Sequence, residues 1–369
     1  MFMLKKAELY FRDLIRGKKK SWVAYPIKLL LLPLSWIYQL AVIVRNWAYD
    51  KGWMRRYIPP VSLVISIGNI VAGGTGKTPV TLLFAKAFYD RFCIAILSRG
   101  YRSKAENLES PLLLCDGQGP LYPASYCGDE PYIFAQRFPR ALVIVGGNRQ
   151  KASCLASKAG AQVILLDDGM QHRRLVRDFD VVVVDVGDPF GQGYFLPRGF
   201  LREDKTALAR AHLIVINHIE DQDQFQSAKT EISPYTQAPM IGTNWQVEAI
   251  CDLKDRVISS IKGEKVGMFC GIASPHYFRE TLEKEGAIVV KEYYLADHEK
   301  PSAVQLKRFC QECQKMGATW LVCTEKDQVK LDPNLSLPLP IVWLKMEMHV
   351  VEGQEIWQEF LKIAEIKIY

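Results

Sequence analysis

The run Gly73-Gly74-Thr75-Gly76-Lys77-Thr78 constrains this chain more than any other feature. It follows Val61 to Ile67 (VSLVISI), a β-branched apolar stretch of the kind that forms a buried parallel strand. An apolar helical run through Phe84 and Ala87 comes after it. Strand, glycine loop and helix together make a phosphate-binding unit. Glycines let backbone N–H groups close around phosphate oxygens, and the helix N-terminus adds its dipole. Lys77 supplies a point charge to the terminal phosphates, and the Thr78 hydroxyl is placed to ligate Mg²⁺. The strict spacing GxxxxGK[ST] wants glycine at position 71, where this chain has Val71. An ordinary glycine turn would not explain Lys77-Thr78. Gly73, Gly74, Thr75, Gly76, Lys77 and Thr78 are therefore read as nucleotide-binding.

From residue 60 to about 240, buried-strand patterns recur at Cys93, Ala141, Val163, Val181 and Leu213, with helical stretches between. Such alternation predicts an α/β fold with a doubly wound parallel sheet of the P-loop NTPase kind. A second, smaller α/β domain begins near residue 262, with strands around Val266, Ala287, Trp320 and Ile341. The expected division is 1–55, 56–245 and 246–369. With 369 residues there is room for two cores. Nine scattered cysteines do not form a disulfide framework, and Cys310 and Cys313 fall in a helical pattern without a second pair. A reducing cytosol is the expected setting.

Before residue 55 the pattern changes. Lys5, Lys6, Arg12, Arg16, Lys18, Lys19 and Lys20 precede an uncharged stretch from Leu29 to Val44, and Arg45, Lys51, Arg55 and Arg56 follow it. Sixteen residues span about 24 Å, short of the ~30 Å hydrocarbon core. Pro33 and two basic flanks also argue against a simple crossing. The expectation is a helix lying in or dipping into a membrane surface, with a buried helix covering the main domain as the alternative. The net charge of +7 gathers at this end and at strand ends, which gives little support to nucleic-acid binding.

Further chemistry is expected where strands end. Val163 to Leu166 runs into Asp167-Asp168-Gly169-Met170-Gln171-His172, and carboxylates there suit Mg²⁺. Asp185, ending Phe179 to Val184, competes for that role. Gly128-Asp129-Glu130-Pro131 puts Asp129 near a helix N-terminus, and Asp297-His298 sits in a polar turn. Either could orient a hydroxyl, or simply cap and turn the chain. Arg99, Tyr101 and Arg102 follow one strand, Arg149 another, and Arg198, Arg202 and Glu203 occupy a Pro/Gly-rich stretch. Arginines at the carboxyl ends of parallel strands face the ligand crevice and suit an anionic acceptor.

In order, SIGNIVAGGTGKTP, LSRGY, GDEP, GNR, DDGMQH, LPRGFLRE, the ADHE turn and TEKD run over most of the chain. Together they resemble the tetraacyldisaccharide 4′-kinase family of lipid A biosynthesis. The resemblance implies transfer of the ATP γ-phosphate to the 4′-hydroxyl of a tetraacylated glucosamine disaccharide 1-phosphate, giving lipid IVA. By the same resemblance, Lys77 and Thr78 contact phosphate and Mg²⁺, and Asp167 and Asp168 are metal-site acids. Asp129 and His298 activate the hydroxyl, with His298 setting the state of Asp129. Arg99, Tyr101 and Arg149 grip the acceptor, and Arg202 and Glu203 line the nucleotide cleft. The family usually has an aromatic where Met170 stands, and a second histidine where Glu299 stands. ATP and Mg²⁺, the lipid A precursor, inner-membrane lipids and a place on the cytoplasmic membrane face are the implied partners and setting. Closure of the two domains over ATP and acceptor, excluding water, is expected to keep idle hydrolysis slow. A membrane-bound ATP-dependent switch without a metabolite acceptor is the other reading, and acceptor-dependent ADP release separates the two.

Overall fold

The computed structural model describes residue 15 and residues 24–272, 275–295, 299–332 and 335–369. Its elements in chain order are α1 (Ala24–Asp50), β1 (Leu63–Gly68), α2 (Lys77–Phe88), β2 (Ile94–Ser98), β3 (Leu112–Asp116), α3 (Asp129–Arg137), β4 (Leu142–Val145), α4 (Arg149–Lys158), β5 (Val163–Asp167) and β6 (Phe179–Asp185). They continue with β7 (Leu213–Asn217), α5 (Gln222–Ile232), β8 (Met240–Asp252), β9 (Val257–Ile258), β10 (Lys265–Cys270), α6 (Pro275–Lys284), β11 (Ile288–Tyr294), α7 (Ala303–Lys315), β12 (Trp320–Thr324), α8 (Glu325–Gln328), β13 (Ile341–Glu352) and α9 (Gln354–Ile366). Two compact units result. One comprises the chain up to Leu97, Asn148–Asn244 and Val350–Tyr369; the other comprises Ser98–Gly147 and Trp245–His349.

In the first unit six strands lie in the order β2-β5-β1-β6-β7-β8, every neighbouring pair parallel. β1, β2, β5 and β7 are buried along their whole length, as near-continuous Val/Ile/Leu runs require when both sheet faces are covered. On one face Phe84 of α2 meets Trp357 and Phe360 of α9 edge-on, and Phe360 also packs on Phe179. On the other, Val182, Val184, Ile214 and Ile216 pack with Phe190, Phe195, Leu201 and the inward side of α5, Phe225 and Ile232. Phe84 and Phe88 are fully buried, each stabilising the fold by about 1.5–3 kcal/mol.

The second unit carries β11-β10-β12-β13 in parallel, with the antiparallel pairs β8/β9 and β3/β4. Its two cores form around Leu306, Phe309, Cys310 and Cys313 of α7 and around Phe278 and Leu282 of α6. The CxxC pair is thus core packing, and burial pushes the Cys313 thiol up to about 11, far from a reactive thiolate. Ser302 caps α7 through a reciprocal capping box with Gln305. The inserted segment Ser98–Gly147 joins this unit through ion pairs. Arg137 grips Glu325 bidentately at 2.7 and 2.9 Å and donates to the Met346 carbonyl, while Lys326 reaches Glu130 at 3.0 Å.

The N-terminal basic run Lys5–Lys20 lies outside the described residues. α1 is longer than the uncharged stretch suggested, because helix continues past Lys28 and Arg45 and through Pro33. Its 27 residues span about 40 Å, and Pro26–Asp50 is long and apolar enough to cross a membrane, with a mean hydropathy of 1.9. The expected shortfall in length is corrected accordingly. Nor is α1 a buried core helix: Leu30, Trp36, Ile37 and Leu40 are each more than 60% exposed. It is tethered along its other side, where Ser35 donates to the Phe195 carbonyl and Arg173 donates to the Asn46 carbonyl.

Candidate active site

β1 ends at Gly68, and the loop that follows is fixed from both sides. Asn69 donates to the Thr75 hydroxyl at 2.8 Å, and Asn217, at the end of β7, donates to the Thr75 carbonyl at 3.2 Å. Ala72 N–H donates to the Phe200 carbonyl, and Arg202 N–H to that of Ile70. Gly76 caps α2 at φ 89°, and a Cβ there would lie 2.0 Å from the Asn217 amide nitrogen. Only glycine satisfies both the left-handed backbone and this close approach. The loop is therefore preformed, with α2 opening at Lys77.

β5 lies directly beside β1, with Asp167 in register with Ile67. Asp167 is buried near the Thr81 hydroxyl, which lies 3.5 Å from its carboxylate. Asp168, in the left-handed region at φ 53°, turns its carboxylate toward Lys77 Nζ at 3.8 Å. Arg202 donates to both Asp168 oxygens at 2.9–3.1 Å and also to the Gln171 carbonyl oxygen. Burial alone would raise the Asp168 carboxyl, but Lys77 and Arg202 hold it far below the usual carboxylate range. Behind Arg202, the fully buried Glu203 accepts from Arg210 at 2.7 Å, Asn46 at 2.8 Å and Gln171 at 3.0 Å. Against the burial that opposes it, these donors lower its carboxyl as well.

The candidate donors here are all oxygens: the hydroxyl of Thr78, in the first turn of α2, and the carboxylates of Asp167, ending β5, and Asp168 after it. Among the described residues no cluster of three or more His, Cys, Asp or Glu makes a protein-only metal cage. Such a set fits Mg²⁺, which takes one or two carboxylates and completes its shell with substrate phosphates and water. Asp185, the competing carboxylate, instead faces His218 Nδ1 at 3.1 Å and accepts from Gly187 N–H.

A second constellation builds up within the other unit. Asp129 is the first residue of α3 and is buried. Lys330 lies 3.7 Å from it and donates to Asp327 at 2.8 Å; Asp327 in turn accepts from Thr324 and from Gly271 N–H. The turn carrying Arg99 and Tyr101 packs on the start of α3, since a Cβ on Gly128 would touch Gly100 at 3.4 Å. Arg99 pairs with Glu106 at 2.7 Å, and Tyr101 is half exposed beneath the Arg102 guanidinium. Arg149 lies in the first unit, buried, and donates to the Asp167 carbonyl at 3.0 Å. His298 lies outside the described residues.

A family model described as tetraacyldisaccharide-1-P 4′-kinase matches residues 27–365. The chain belongs to that family. Among curated relatives, the tetraacyldisaccharide 4′-kinase of Halothermothrix orenii is 34% identical over 345 residues, covering 89% of each chain. That of Syntrophotalea carbinolica is 35% identical over 372 residues, covering 97% of this chain and 98% of its own. A solved structure described as the "apo" form of LpxK from Aquifex aeolicus in complex with ATP superposes with a TM-score of 0.73. It is 26% identical and covers 93% of this chain and all of its own. The 4′-kinase match bears out the family resemblance read from the motifs, and the superposition bears out the expected fold class.

Within this 4′-kinase frame, sequence reasoning missed Lys330 and Asp327, whose TEKD motif was noted without a role. It also missed Asn69 and Asn217, which clamp the loop. A polar residue ending a buried strand, as Asn217 ends LIVIN, was the signal available.

Proposed function

We propose that this chain transfers the γ-phosphate of ATP to the 4′-hydroxyl of a tetraacylated glucosamine disaccharide 1-phosphate, giving lipid IVA. The observation that carries this reading is the glycine loop opening α2 beside Asp167 and Asp168, in a chain that one kinase family matches from residue 27 to 365.

In this reading the amides of Gly73 to Gly76 cradle the β- and γ-phosphates. Lys77 leaves Asp168, 3.8 Å away, for the γ-phosphoryl oxygens. Thr78, Asp167 and Asp168 would hold Mg²⁺, whose charge when bound neutralises the developing negative charge on the phosphates. Arg202, forked across Asp168, keeps that carboxylate ionised and fixed, and Arg149 holds the backbone of Asp167. Asp129 orients the acceptor hydroxyl and accepts its proton, its charge balanced by Lys330, and His298 sets its state. Arg99 and Tyr101 take the sugar and 1-phosphate, with Arg149 in support. α1 brings the enzyme to the cytoplasmic face of the inner membrane, where both ATP and a lipid acceptor are within reach.

The test is incubation with ATP, Mg²⁺ and a tetraacyldisaccharide 1-phosphate, following ADP release and the bisphosphorylated lipid. ADP release that depends on the acceptor, and falls at least a hundredfold in Asp129→Ala, supports the reading. Equal ADP release without acceptor rejects it.

A further inference from the structure

α1 is joined to the nucleotide site by an unbroken line of polar contacts. Asn46, near the end of this mostly exposed apolar helix, donates its amide to Glu203 Oε2 at 2.8 Å. Glu203 is completely buried, and its other oxygen accepts from Gln171 at 3.0 Å. Gln171 takes a hydrogen bond from Arg202 through its side-chain carbonyl. Arg202 forks onto Asp168, which faces Lys77. A branch leaves the same Gln171 amide for the Asn69 carbonyl, and Asn69 donates to Thr75 inside the phosphate loop. Glu203 also follows Arg202 directly in sequence, and both N–H groups meet the Ile70 carbonyl where the loop departs from β1.

We propose that Asn46 is a positioning residue for the nucleotide site, and that through it the seating of α1 in a bilayer sets the grip on the triphosphate. A buried carboxylate with three hydrogen-bonding side chains has one place to sit, and withdrawing a donor shifts the others. Loss of the Asn46 amide leaves Glu203 hydrogen-bonded to Arg210 and Gln171, with Arg45 3.9 Å away, so the carboxylate shifts, Gln171 and Arg202 follow it, and Asp168 loses its fixed place opposite Lys77. On the opposite side α1 presents Leu30, Ile37 and Leu40 outward, so lipid packing acts on the helix that carries Asn46. The inference rests on the 4′-kinase reading above.

A built-in control exists. Asp50 also ties α1 down, by an ion pair with Arg173, which reaches Asn46 at its backbone carbonyl and not at the side-chain amide that carries the line to Glu203. The experiment compares wild type, Asn46→Leu, Asp50→Asn, Gln171→Met and the Asn46→Leu/Gln171→Met double variant, each reconstituted in phospholipid nanodiscs. Km for ATP, Km for the lipid acceptor, kcat and thermal midpoint are measured for each. Asn46→Leu is expected to raise Km for ATP about tenfold while Km for the acceptor stays within twofold. Asp50→Asn is expected to leave both Km values unchanged. The double variant is expected to be no worse than the poorer single one, the non-additivity that a shared line requires. Wild type in detergent micelles is expected to show a higher Km for ATP than in nanodiscs. An unchanged Km for ATP in Asn46→Leu overturns the proposal, as does an equal rise in Asp50→Asn, which would make helix docking in general the cause. Absence of acceptor-dependent transfer in wild type would reject the kinase reading itself, a separate outcome.

Discussion

At the scale of single residues, the loop GGTGKT works because its neighbours leave it one conformation. Gly76→Ala would force a Cβ against Asn217 in a left-handed backbone that itself costs a non-glycine residue about 1–2 kcal/mol. The expected result is a Km for ATP raised at least tenfold, with a lowered thermal midpoint, read by steady-state kinetics and calorimetry. Lys77, Thr78, Asp167 and Asp168 were legible because each sits at a strand or helix end with a chemical signature of its own. Lys330 was not: a lysine after TEKD looks like any solvated surface charge, and only folding turns it inward to within 3.7 Å of Asp129. Arg149 shows the same limit from the other side. Sequence places it at a strand end, and folding buries it with its guanidinium on the Asp167 carbonyl.

Among the elements, α1 and the Leu201–Arg210 stretch depend on one buried carboxylate. Glu203→Ala removes the common acceptor of Arg210, Asn46 and Gln171, and stranding such charges costs about 3–5 kcal/mol. A large fall in urea midpoint checks this. The carboxyl of Glu203 is held below its ordinary 4.5 in the folded state. Its stabilising contribution is therefore complete above 4.5 and is lost as pH falls through the lowered folded value. Wild type should lose stability on acidification below about pH 4.5, and Glu203→Gln should flatten that part of the curve. α1 itself was readable as an apolar helix. Its length was not, because Lys28, Pro33 and Arg45 look like boundaries, whereas a helix already nucleated carries them. Ile37→Asp with Leu40→Asp, on its exposed side, costs about 2.5–3.5 kcal/mol per residue in a membrane centre. Vesicle flotation should show at least hundredfold weaker binding with an unchanged thermal midpoint.

For the whole molecule, periodicity suggests two α/β domains in succession, whereas each of the two compact units is assembled from separated stretches of the chain. Ser98–Gly147 reads like one more strand-helix turn of the first sheet, and it belongs to the same compact unit as Trp245–His349. Within that unit Arg137 pairs with Glu325 and Glu130 with Lys326, contacts nearly two hundred residues apart in sequence and invisible to local patterns. β8 was missed for a related reason: MIGTNWQVEAICD mixes a buried start with an alternating remainder, so no single period describes it. The central claim is that Lys77 and the amides around it hold a triphosphate whose terminal phosphate goes to a sugar hydroxyl. The most direct measurement is transfer of label from γ-labelled ATP to a tetraacyldisaccharide 1-phosphate by wild type and Lys77→Ala. Wild type should yield labelled bisphosphorylated lipid, and Lys77→Ala should lose about 10²–10³-fold of that rate, the usual effect of removing one charge-stabilising donor. Labelled lipid formed by Lys77→Ala at the wild-type rate would contradict the account.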